Sequence, residues 1–160
     1  MVPPDRYRAG RSAGDIALAP GAEENGFAVM LTDLVRQNLE TNPHKLRDFD
    51  ALDGVVSIVA NDAEVALTLA FDRGALRVYS GVVGVPDVVI RGTSETILAL
   101  SNVPLSPRLG LPIPRDDEGK KLVREILQAM RTGALKTEAR GGLVRRLPLL
   151  LHLTRVMSVR

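Results

Sequence analysis

The chain has 160 residues, no cysteine, only five aromatic residues and a formal net charge of +2. That length suits one domain with a core of its own, and the lack of cysteine excludes disulfides, a thiolate nucleophile and Cys-based zinc sites. No stretch approaches the roughly 20 apolar residues of a membrane span, and the opening residues lack a signal peptide's apolar core, so a cytoplasmic protein is expected.

In chain order, residues 1–26 are rich in Pro, Gly, Ala and charge and lack apolar periodicity. They are expected to form an arm or disordered tail, with the domain proper spanning residues 27–160. Phe27, Met30, Leu31, Leu34, Val35 and Asn38 then form a helical stripe, started at Asn25-Gly26 and stopped at Thr41-Asn42-Pro43. Strands follow. Val55 to Val59 is β-branched, and Val65, Leu67, Leu69 and Phe71 alternate with smaller or polar residues. The turn Asp72-Arg73-Gly74 leads into Leu76, Val78 and Ser80, and Val88 and Ile90 mark a fourth strand. Together these predict an antiparallel meander with one buried face.

Thr93 or Ser94 caps a short helix with Ile97, Leu98 and Leu100 on its apolar side. Asn102 to Arg115 is a long connection with four prolines, either a packed link or a lid. Asp116-Asp117-Glu118 suits a helix start, followed by Leu122, Val123, Ile126, Leu127 and Met130 at helical spacing and a stop at Gly133. Leu135, Thr137 and Ala139 alternate with Lys136, Glu138 and Arg140 as a fifth strand. After Gly141-Gly142 comes a helix over 147–157 that is apolar nearly all round, with Pro148 tolerable in a first turn.

This order of elements resembles the sterol carrier protein type 2 family of lipid-binding domains. The resemblance is carried by the meander with its Phe71-Asp72-Arg73-Gly74 turn and by the segment Pro86 to Leu100. The strand Gly133 to Gly142 with the helix that closes after it completes it. It implies an α+β domain in which an about five-stranded, mainly antiparallel sheet is covered on one face by helices and encloses an apolar tunnel. It also implies a non-catalytic module that binds or carries a sterol, fatty acyl chain, phospholipid or isoprenoid quinone. The alternative is an accessory or scaffold protein of a lipid or quinone biosynthesis complex, acting through its surface.

The candidate ligand-binding residues are Leu67, Leu69, Phe71 and Val78 on the sheet, Ile97, Leu98, Ile126 and Met130 on the middle helices, Leu135 and Thr137 on the last strand, and Leu150, Leu151, Leu153 and Met157 on the last helix. The same stripes also fit an ordinary packed core. No H-E-x-x-H or phosphate-loop pattern occurs, so neither catalysis nor a cofactor or metal is expected. Residues 116–160 hold ten Lys/Arg against five Asp/Glu. That excess suits transient contact with an anionic membrane surface or an acidic protein partner. Nucleic acid is not expected, because the few aromatics leave little for base stacking.

Overall fold

The computed structural model describes residues 15–100 and 117–157. Among them six strands form one sheet: β1 (Ile16–Leu18), β2 (Asp53–Ala60), β3 (Val65–Asp72), β4 (Leu76–Ser80), β5 (Val88–Gly92) and β6 (Lys136–Ala139), in the spatial order β1-β4-β3-β2-β5-β6. Five α-helices accompany them: α1 (Gly26–Thr41), α2 (Leu46–Ala51), α3 (Ser94–Leu100), α4 (Asp117–Thr132) and α5 (Leu143–Met157). The class is α+β, as expected. The sheet, however, has six strands rather than about five, and it is mixed: β1–β4 and β2–β5 are parallel, the other three pairs antiparallel.

Two local causes account for the difference. The sixth strand comes from residues assigned to the arm: Ile16, 4% exposed, pairs with Leu76, and the Ala19 N–H donates to the Val78 carbonyl. A three-residue strand has too little alternation to register in sequence, and burial against β4 alone defines it. Residues 1–14 lie outside the described residues.

The second cause is the segment 81–87, which carries the chain across the back of the sheet instead of turning beside β4. Thr68, 1% exposed, holds it there by donating from its hydroxyl to the Gly81 carbonyl (2.7 Å) and accepting from the Val83 N–H (3.1 Å). Ser57, fully buried, lies 2.9 Å from the same hydroxyl. Because Thr68 spends its one hydrogen on Gly81, Ser57 is the donor. The Asp87 N–H then donates to the Val55 carbonyl, which delivers β5 parallel to β2.

Register places the apolar side chains in rows across the front face. One row runs Leu18, Val78, Leu69, Val56, Val88, Ala139, and the next runs Leu67, Ile58, Ile90, Thr137. Leu67, Leu69, Val56, Val78 and Val88 are fully buried. The β3–β4 hairpin closes on Arg73 (φ 42°) and Gly74 (φ 96°), with Asp72 and Ala75 exchanging both backbone hydrogen bonds, the geometry of a type I′ turn.

Asn25 starts α1. Its Oδ1 accepts from the Phe27 and Ala28 N–H groups, while its Nδ2 donates to the Ala66 carbonyl and to Ser80 Oγ, tying the helix start to β3 and β4. The buried face of α1 is Ala28, Leu31, Thr32, Val35, Asn38 and Leu39, with Met30 left 39% exposed. The buried stripe is thus turned from the one expected, taking in Ala28, Thr32 and Leu39 and leaving Phe27 and Leu34 only partly buried. Thr32 satisfies its hydroxyl on the Ala28 carbonyl.

Replacing Thr68 by the isosteric Val should cost about 1–3 kcal/mol, since it strands the Gly81 carbonyl, the Val83 N–H and the Ser57 hydroxyl under the crossing segment. Urea unfolding measures the loss. An unchanged midpoint would show that water replaces all three bonds.

Candidate functional site

The front face of the sheet is covered by α1 over β1, β4 and β3, by α5 against α1, α2 and β6, and by α3 with α4 at β5. The last helix packs on α1, α2 and β6, and three polar anchors hold it.

At its start, the Asp87 carboxylate accepts from the Val55 N–H (2.8 Å) and pairs with Arg146 (3.2 Å). Arg146 Nε also donates to the Arg140 carbonyl, and the Arg140 N–H donates to the Asp87 carbonyl. In its middle, Asp48 Oδ1 on α2 lies 2.8 Å from His152 Nδ1 and 3.0 Å from Arg155 Nη1. Beside Asp48, Lys45 is 4% exposed, and burial lowers its ammonium pKa while the Asp48 charge opposes that shift. At its end, Asn38 Nδ2 of α1 donates to the carbonyls of Val156 and Met157, groups that a helix terminus leaves without partners.

Between the anchors, Leu149, Leu153 and Val156 enter the core. Leu149 reaches it over Gly54, where a Cβ would sit 3.1 Å from Leu149 Cδ2 and 3.1 Å from Asp87 Oδ2. With φ at 151°, this position suits glycine on both counts.

The helix itself starts at Leu143, so Pro148 lies inside it and not in a first turn from residue 147. The bond that Pro148 forfeits belongs to the carbonyl of Val144, a residue 81% exposed. On its outer side Val144 and Leu147 face solvent.

The fourteen residues expected to bind a ligand fall into distinct settings. Leu67, Leu69, Phe71, Val78, Ile97, Leu135 and Leu153 are buried in one apolar cluster, with Phe71 edge-on to Phe49 at 6.4 Å. Ile126, Leu150 and Met157 are half-buried against that cluster, and Thr137 and Leu151 are half-buried as well. Met130 is 46% exposed. Leu98 lies in α3, its side chain outside the described residues, as is the whole connection 102–115.

The two apolar rows therefore change character toward the β6 edge. They are sealed through β3, β2 and β5, and end on the small, half-buried Thr137 and Ala139. α4 is tied to the same edge by the Leu135 N–H donating to the Ala129 carbonyl.

Sequence reasoning missed the polar anchors Asn38, Asp48 and Asp87. Asn38 reads in sequence only as the last position of the α1 stripe, Asp48 and Asp87 belong to no periodic pattern, and each acts on a residue far along the chain. Short α2, with Phe49 in the core, was missed for the same reason.

Residues 33–109 match the model of the SCP-2 sterol transfer family. The resemblance read from the sequence is borne out. Among solved structures, the UbiJ-SCP2 ubiquinone synthesis protein aligns at 14% identity over 82% of this chain and 97% of its own, with a TM-score of 0.51. A sterol carrier protein 2 crystal structure aligns at 15% identity over 78% of this chain and 88% of its own, with a TM-score of 0.47. No curated protein matches the chain in sequence. The SCP2-like fold is an α+β fold with helices packed on a mixed sheet.

Thr93 Oγ1 caps α3 by accepting from the Thr96 N–H (3.1 Å), and an acid-sensitive carboxylate adds to that cap. Asp62 accepts from the Ser94 hydroxyl and the Ser94 N–H, each at 2.7 Å, and these bonds hold its carboxyl below the ordinary carboxylate value. A lowered folded pKa means the cap's contribution is full above the unfolded value of about 3.9 and is lost as pH falls through the lowered one. Amide exchange at the start of α3 should therefore quicken only below that range, and Asp62→Ala should make it fast at neutral pH. A carboxyl NMR titration of Asp62 at or above the ordinary value would contradict this.

Proposed function

We propose that the protein binds and carries an apolar lipid without a chemical step, holding it between the sheet and its helical cover. The observation that carries the proposal is the change along the rows of the front face. They are closed over β3, β2 and β5 and become half-buried at Thr137 and Ala139 on β6, where Ile126 and Ala129 of α4 and Leu150 of α5 are also only half-buried. An aliphatic margin with small side chains suits a long flexible chain better than a rigid planar ligand. Each methylene buried there contributes about 0.8 kcal/mol before ordering costs. The SCP-2 sterol transfer match supports the lipid class; a sterol, an acyl chain, a phospholipid and an isoprenoid quinone all share this chemistry. On this reading, Ile126, Thr137 and Leu150 meet the ligand, while Leu67, Leu69, Phe71 and Val78 form the floor beneath it. Release follows from loosening α5 at its Asp87–Arg146 end.

One observation favours a second reading, an accessory protein acting through its surface. On the segment crossing the back of the sheet, Val82, Val83 and Val85 are 49%, 41% and 69% exposed, more apolar surface than a connection needs. An acidic protein partner belongs to this reading.

Mass spectrometry of an organic extract of the purified protein, beside an unrelated protein from the same cells, separates the two. One lipid class enriched near stoichiometry is expected. Ala139→Phe, which fills the half-buried margin, should weaken uptake of a fluorescent long-chain acyl probe about tenfold while leaving circular dichroism unchanged. An empty extract together with no uptake of acyl, sterol or quinone probes would overturn the carrier reading in favour of the accessory one.

A further inference from the structure

Helix α5 is apolar on two opposite sides. Leu149, Leu153 and Val156 face the core. On the far side Val144, Leu147, Pro148 and Leu151 recur at i, i+3, i+4 and i+7, with Val144 81% and Leu147 42% exposed. Single exposed aliphatics are ordinary; an aligned set opposite a core-facing stripe is not.

The flank of this stripe is rich in arginine. Arg140, at the turn into α5, and Arg145, in its first turn, are exposed, and the Arg145 side chain lies back over Gly141. The nearby carboxylates are engaged, Glu138 with Arg91 at 3.9 Å and Asp87 with Arg146 at 3.2 Å. Among the described residues, no helix is long and apolar enough to cross a membrane. An amphipathic segment with this pattern lies in the plane of a lipid interface instead.

We propose that the first two turns of α5 dock on an anionic lipid bilayer, Val144 and Leu147 entering the acyl boundary and Arg140 and Arg145 meeting headgroup phosphates. The inference rests on the lipid-carrying reading, for which a bilayer is both source and destination, and gives that reading its point of contact. It also joins docking to release. The turns that meet the membrane are those held by the Asp87–Arg146 pair, while the other end of α5 stays locked to α1 and α2 through Asn38 and Asp48.

Flotation with phosphatidylcholine vesicles, with and without phosphatidylglycerol, tests this. The protein should float with the anionic vesicles alone and be released as salt rises. A Val144→Gln, Leu147→Gln double variant should bind them about tenfold more weakly, and Arg145→Gln about fivefold, both with unchanged circular dichroism because these positions face solvent. Equal flotation of the variants, or none by the parent protein, would overturn the proposal. So would a dimer seen by light scattering that the double variant abolishes, which would give the stripe to a second copy of the chain. The extract separates the two readings: a parent protein that floats yet carries and takes up no lipid defeats the carrier reading, and one that carries lipid yet never floats defeats the docking surface alone.

Discussion

The Asp87 carboxylate is the interaction on which the arrangement of sheet and closing helix depends. One residue accepts the Val55 N–H of β2, pairs with Arg146 of α5, and through its backbone joins the end of the crossing segment to Arg140. Both partners of the ion pair are mostly withdrawn from solvent, at 28% and 20% exposure. The pair is therefore screened less than a surface bridge, and losing one partner would leave the other poorly solvated. Gly54 makes the geometry possible, because a side chain there would meet both Asp87 and Leu149.

Around that point the molecule divides into a part built for permanence and a part built at a margin. The rows through β3, β2 and β5 are buried, polar groups included: Thr68 and Ser57 on the back face complete each other's bonds and those of the segment above them. At β6 the side chains shrink and the cover becomes half-open. A lipid carrier needs both properties, a rigid floor and a boundary that yields, and local stability is expected to differ between them.

The closing helix combines the same two tendencies along its own axis. Its end is fixed by the amide of Asn38 and by the Asp48 carboxylate, which draws His152 and Arg155 together. Its beginning is held through Arg146, paired with Asp87 and bonded to the Arg140 carbonyl, and presents aliphatic side chains to solvent.

The sequence by itself determined the elements whose signal is periodic. The alternation of Val65 to Phe71 and Leu76 to Ser80, the capping Asn25, the stop at Thr41-Asn42-Pro43 and the leucines of α5 each state a local preference, and the family resemblance follows from their order. Only the tertiary structure decided what depends on distant pairs: β1 as an edge strand, β5 crossing to lie parallel to β2, and Asn38, Asp48 and Asp87 as the anchors of α5. These rest on hydrogen bonds between residues 32 to 119 positions apart, and no periodicity encodes them. The same holds for the candidate site. Hydrophobicity marks a side chain as fit for burial, but whether Leu69 is sealed and Ile126 half-open depends on which rows the register builds and where the helices covering them end.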